Sequence, residues 1–233
     1  MRFVFAFSLF LISFFFQPLN AQAETWRFTA IRDWPPYMDE KLGERGLGYI
    51  ALKNVLDDMG IELEIEYLPW KRAKYLPTVD ERYVGYYCAW PEEVDTGFFA
   101  SVPIFSSPIG VFSSYQPGTD KKSYQGIASQ SIGLVKSYVY PSVYENHPLQ
   151  ERVDSDAVLI KFVLLGRTDY GVIDKYVLNY LLENNPELKA VAEQIQFYDQ
   201  TVENKPLVIA FRDTKENRKR AKRLAAFMQK YSR

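Results

Sequence analysis

Apolar positions in this chain run first without interruption, then recur at every second residue, then at every third or fourth. Phe3 to Phe16 is an almost unbroken apolar stretch behind the single charge of Arg2. It is shorter than the ~20 residues a membrane span needs. Gln17, Pro18 and Asn20 break it, and Ala21-Gln22-Ala23 has the small residues a secretory peptidase cuts after. This predicts a cleaved export segment over residues 1–23 and a mature start at Glu24. No cysteine follows the apolar run, which argues against lipid attachment.

Beyond Glu24 the period alternates between two and about 3.6, the mark of strands interleaved with helices. Trp26 to Ile31 reads as a strand. Trp34-Pro35-Pro36-Tyr37 cannot continue it, because two prolines remove ladder donors. Gly46 and Gly48 lead into a helix with Leu52, Val55, Leu56 and Met59 on one face, ended by Gly60. Ile61, Leu63, Ile65 and Tyr67 alternate with Glu62, Glu64 and Glu66, as in a half-buried strand near a sheet edge. Pro69 suits the start of a helix carrying Trp70, Lys71 and Arg72, and Tyr83 to Ala89 gives a third strand. Two βαβ units in succession imply a parallel sheet whose strand C-termini carry the functional loops.

Pro103 to Ser114 is extended and apolar and reads as a crossover, closed by the polar turn Gln116 to Thr119. A second α/β pattern follows. It comprises strand 131–135, a tyrosine-rich helix over 138–145, a short strand near Arg152, and a helix capped by Asp154 or Ser155. Strand 170–173 then meets a helix at Asp174, and Ile195 to Tyr198 reads as a further short strand. Pro206 to Phe211 is strongly apolar. Asp213 with Glu216 resembles a capping box for a last helix, whose Arg218, Lys219, Arg220, Lys222 and Arg223 read as a solvated face.

Removing residues 1–23 leaves 210 of 233, enough for two small cores, and loss of Arg2 moves the formal net charge from −1 to −2. That balance excludes the basic surplus of a nucleic-acid binder. Cys88 is the sole cysteine and reads as a buried strand residue. His147 is the sole histidine, in a turn after a helix. Disulfides, a histidine-based nucleophile and a multi-histidine metal site are therefore not expected, nor is a cofactor. Tyrosine and tryptophan beside proline and glycine suit a cleft wall, offering a broad ring with a polar edge.

The order Trp34-Pro35-Pro36-Tyr37, Gly48-Tyr49, Leu68-Pro69-Trp70-Lys71-Arg72-Ala73, Gly166-Arg167-Thr168-Asp169-Tyr170 and Asp174 resembles the family 3 periplasmic solute-binding proteins. The resemblance covers nearly all of the mature chain. It implies an α/β, two-lobed type II periplasmic binding protein fold, each lobe a mixed sheet flanked by helices, joined by two hinge strands. Lobe 1 would comprise 24–112 plus 204–233, and lobe 2 would comprise 113–203. A monomer in the periplasm of a Gram-negative bacterium would capture a small polar molecule and pass it to an ABC permease or a membrane sensor.

Family roles transfer residue by residue. Trp34 or Tyr37 would pack on the ligand, or pack within the proline loop. Asp174 would receive an ammonium group, cap its helix, or do both. The family's carboxylate-clamping arginine is missing: Trp90-Pro91-Glu92-Glu93 places Glu93 where that arginine is expected. A cationic or polyhydroxylated ligand fits better than an ordinary α-amino acid, with Trp34, Trp70 or Trp90 supplying a ring. Two routes would restore anion binding: Arg72, if it is not ion-paired at the surface, and Lys136-Ser137-Tyr138, if helix-start amides lie there. Two alternative functions stand beside solute capture. One is a cyclohexadienyl or arogenate dehydratase on the same fold with Glu93 as general acid; the other is a degenerate-cleft interaction protein.

Overall fold

The computed structural model describes residues 24–115, 123–136 and 138–231. The expected export segment, the turn at 116–119 and Ser137 lie outside the described residues. Among those described, no helix is long and apolar enough to cross a membrane.

Among the described residues eight strands form one hydrogen-bonded path in the order β2-β1-β3-β9-β5-β8-β6-β7, and a ninth, β4, pairs with β9 beside it. In its first part β1 (Glu24–Ile31) lies between β2 (Ile61–Leu68) and β3 (Gly85–Ala89), all parallel. Helix α1 (Leu47–Asp58) connects β1 to β2, and α2 (Trp70–Val79) connects β2 to β3. The alternating glutamates of β2 stand at the sheet edge, as their pattern predicts. Short β4 (Phe98–Ala100) pairs antiparallel with β9 (Ile195–Arg212). Trp26, Phe28 and Phe211 meet edge to face in the core, and α7 (Lys215–Tyr231) buries Leu224 nearby.

The second part contains β6 (Ile132–Val135), β7 (Gln150–Val153) and β8 (Tyr170–Asp174), mutually parallel in the order β8-β6-β7. Around them lie α3 (Ser142–Glu145), α4 (Asp156–Leu164), α5 (Lys175–Asn184) and α6 (Pro186–Lys189). Of the two capping candidates, Ser155 caps α4 by accepting from the Val158 amide at 3.3 Å.

Two long strands cross between the parts. β5 (Phe105–Ser114) runs antiparallel to β9 from Phe105↔Leu207 to Ser114↔Ile195. Between Ile109↔Glu203 and Val111↔Tyr198 the register shifts, so β9 carries extra residues there. The Val111 amide donates to Thr201 Oγ1 at 2.8 Å, repairing the interrupted ladder. The short strand expected at 195–198 and the apolar strand near 206–211 are thus one strand, continuous through that bulge.

Two helix starts differ from expectation. The helix expected from Tyr138 begins at Ser142, because Pro141 excludes its predecessor from helical backbone and serves as the N-cap. The last helix is capped by Thr214, whose Oγ1 accepts from the Asn217 amide at 3.1 Å, while Asp213 pairs with Arg218. The basic face of α7 is laced with ion pairs: Lys219 meets Glu216, and Arg220 and Arg223 both reach Glu24.

Candidate functional site

Two sets of three parallel strands, β1 to β3 and β6 to β8, each carry a cleft residue at every C-terminal end. Trp34 follows β1, Trp70 follows β2, and Trp90 with Glu93 follows β3. Tyr138 follows β6, Asp156 follows β7, and Asp174 ends β8. This is where open α/β sheets present ligand-contacting loops.

The first loop is held by its own backbone. Trp34 and Met38 exchange two amide–carbonyl bonds of 3.0 and 2.9 Å. The Leu47 and Gly48 amides, at the start of α1, donate to the Pro36 and Tyr37 carbonyls at 2.7 and 2.9 Å. Gly46 has φ +104°, and a Cβ there would sit 2.3 Å from the Tyr37 oxygen, so the turn requires glycine. The result stacks Trp34 on Tyr37 at 4.5 Å and sets Trp34 edge-on to Trp90 at 6.0 Å. Trp90 in turn meets Tyr138 edge-on at 6.0 Å, joining rings from both halves of the chain.

These rings enclose a cavity of about 200 Å³, lined by Ile31, Trp34, Trp70, Cys88, Trp90, Glu93 and Tyr138. A gap of about 10 Å³ shares Trp34, Trp90 and Tyr138 with it and reaches Asp156, Asp174 and Val177. A larger polar hollow of about 360 Å³ lies elsewhere, with all its walls between Ser113 and Tyr170. It lacks the convergence of rings and carboxylates, so the aromatic cleft is the candidate site.

Three carboxylates face this cleft, Asp174 buried and Glu93 and Asp156 half-buried. Asp174 Oδ1 accepts from the Tyr176 and Val177 amides at 2.7 and 3.0 Å, capping α5. Its Oδ2 accepts from Tyr37 Oη at 2.6 Å and Ser107 Oγ at 2.5 Å. Burial raises its pKa, against the pull of those donors. Asp156 accepts from Tyr138 Oη at 2.9 Å, and burial pushes its pKa up to about 6. Glu93, in a turn of 3-10 helix over Pro91–Glu93, accepts from the Trp90 amide at 3.1 Å; burial raises its pKa also. None of the three makes an ion pair among the described residues.

Two lysines approach but are engaged elsewhere. Lys205, 4 % exposed on β9, stands 4.4 Å above the Trp90 ring and 3.5 Å from Glu92. Lys74 lies 5.7 Å from the Trp70 ring centre and 2.8 Å from Asp95. Of the other residues singled out by sequence, Arg72 is exposed on α2 outside the cavity walls. Lys136 pairs with Asp154 at 2.8 Å, and α3 starts well beyond it, so no helix-start amides accompany it. Tyr37 is fully buried behind Trp34. Ser107, Asp156 and Lys205 escaped the sequence reading, which gives Cys88 only as a buried strand residue without a place in the site. Asp156 alone had a signal, as an acid opening a helix just after a parallel strand.

Cys88 lies at a strand irregularity with φ +68°, its thiol pKa raised by burial. His147 is buried, with Nε2 2.8 Å from the Ile127 carbonyl. No group of three or more metal-ligating side chains converges among the described residues.

No protein-family model matches the chain, and no curated protein matches it in sequence. Solved structures do. A substrate-binding protein of an amino acid ABC transporter aligns with TM-score 0.58 at 14% identity, over 89% of this chain and 94% of the other. A histidine kinase sensor domain similar to periplasmic binding proteins gives 0.62 at 15%, over 89% and 92%. This is the type II periplasmic binding protein fold. The GluR0 ligand-binding core of Nostoc punctiforme, in complex with L-glutamate, shares that fold, with TM-score 0.59 at 15% identity over 88% and 93%.

Proposed function

We propose that this chain is an exported binding protein that traps a small polar solute between two lobes and presents it to a membrane importer or sensor. The carrying observation is the cavity of about 200 Å³ whose walls come from Trp34, Trp70, Trp90 and Glu93 on one side and Tyr138 on the other. The lobes are 24–112 with 204–233, and 113–203, their boundaries falling within the crossing strands β5 and β9. Closure removes the guest from water, and the lower local dielectric strengthens each polar contact. The ligand contacts are assigned to Trp34, Trp70, Trp90, Glu93 and Tyr138, with Tyr37 and Asp174 joining the lobes behind them. Arg72 and Lys136 have no part in this assignment.

The raised pKa of Glu93 suits a general acid, the role a dehydratase would give it. Such an enzyme must also hold an anionic substrate, and no cationic side chain lines the cavity among the described residues. Binding is therefore preferred to catalysis.

A thermal-shift panel of amino acids, amines, sugars and small acids tests the proposal. A ligand at a hundred times its Kd adds about 2.7 kcal/mol, which for this size corresponds to a rise of roughly 5–10 °C in melting temperature. Small-angle scattering should show compaction with the same ligand. Folded protein that responds to no member of the panel refutes the reading.

A further inference from the structure

We propose that the cleft selects small organic cations that carry no carboxylate, in preference to the corresponding amino acids. This rests on the solute-binding reading above and names the ligand class of that same site.

Charge carries the argument first. Glu93 lines the cavity, and Asp156 and Asp174 line the gap that adjoins it. The neighbouring cations each pair with another carboxylate, Lys74 with Asp95 at 2.8 Å and Lys205 with Glu92 at 3.5 Å, and act on the Glu93 carboxylate only through space. Asp174, buried, and Glu93 and Asp156, half-buried, thus have no ion-pair partner among the described residues, an arrangement that disfavours a fourth anion and leaves room for a cation. Asp174 is saturated by Tyr37, Ser107 and two amides, so Glu93, on the cavity wall, is the principal partner.

The walls give a second, independent argument. Indole and phenol rings attract a cationic head through their quadrupoles and accept its apolar cladding. Trp90 lines both spaces, and its indole N–H is buried without a hydrogen-bond partner. A ligand with a hydroxyl or imine acceptor near its charged head would satisfy that donor. The volume of about 200 Å³ lies below the ~300 Å³ at the small end of drug-sized pockets, which limits the guest to a compact molecule.

The test pairs each cation with its carboxylated counterpart. Calorimetric titration of the purified chain with agmatine and L-arginine, and with choline and glycine betaine, reads the preference directly. At least one carboxylate-free member should bind tenfold or more tightly than its partner. Glu93→Gln, which keeps an oxygen for the Trp90 amide, should weaken that cation about 30-fold or more, the loss expected on removing one member of a buried charge pair. Equal or tighter binding of the carboxylated member, or binding of the cation unchanged by Glu93→Gln, overturns the inference while leaving solute capture intact. If folded protein binds neither these nor any neutral or acidic solute, the solute-binding reading falls with it.

Discussion

At the scale of single residues, the ionisation of Asp156 is coupled to folding. Burial raises its pKa from 3.8 to about 6, so the folded chain holds this proton more tightly than the unfolded chain. Its contribution is fully present below about pH 4 and is lost as pH rises through about 6, a swing of ~3 kcal/mol at most. Asp156→Asn keeps an acceptor for Tyr138 and has no proton to lose. Urea unfolding at pH 4.5 and pH 7 should therefore show a larger fall with rising pH in the parent than in the variant. Equal falls would mean that Asp156 ionises as freely in the folded chain as in the unfolded one. Gly85 offers a steric counterpart: a Cβ there would lie 1.9 Å from the Ala210 carbonyl oxygen across the sheet. Gly85→Ala should cost roughly 1–3 kcal/mol or more, because backbone, not a pliable side chain, must yield.

At the scale of elements, the βα units were legible because each has its own signal. β2 alternates strictly, α1 carries an apolar stripe, Ser155 caps α4, and Asp174 caps α5. The misreadings came where two local signals competed. Tyr138 to Glu145 has helical spacing, but Pro141 starts the helix one residue later, at Ser142. The polar stretch Asp199 to Asn204 looks like a loop, yet its backbone stays within β9 through the bulge. Within the site, Trp34, Trp70, Trp90, Glu93 and Asp174 follow predicted strands and could be found. Ser107 and Lys205 could not, since they reach the cleft from crossing strands whose pairing is long-range. The bulge itself is testable. Thr201→Val leaves the Val111 amide without its acceptor and should lower stability by about 1–3 kcal/mol, read from the urea midpoint.

At the scale of the whole molecule, the two halves already touch through the protein's own groups. Tyr37, from the first loop, donates to Asp174 at the end of β8, and Trp90 meets Tyr138 across the same divide. On the proposed two-lobe reading, these contacts would favour a closed form and set the free energy that a ligand must add to. Tyr37→Phe removes one donor from a buried carboxylate. The loss of about 1.4 kcal/mol corresponds to a tenfold shift toward the open form, visible as a larger radius of gyration without ligand. An unchanged radius would show that the hydroxyl contact does not hold the halves together.

The placement of Cys88 gives the molecule a built-in reporter. Cys88 lines the cavity and is 2 % exposed, and burial keeps its thiol protonated, so a water-soluble maleimide should meet little reactive sulfur in the folded chain. With no second cysteine anywhere in the sequence, the labelling rate becomes a clock for opening. An occupant should slow that clock in proportion to the time it spends inside, so residence can be timed without a fluorophore, a tag or an engineered site.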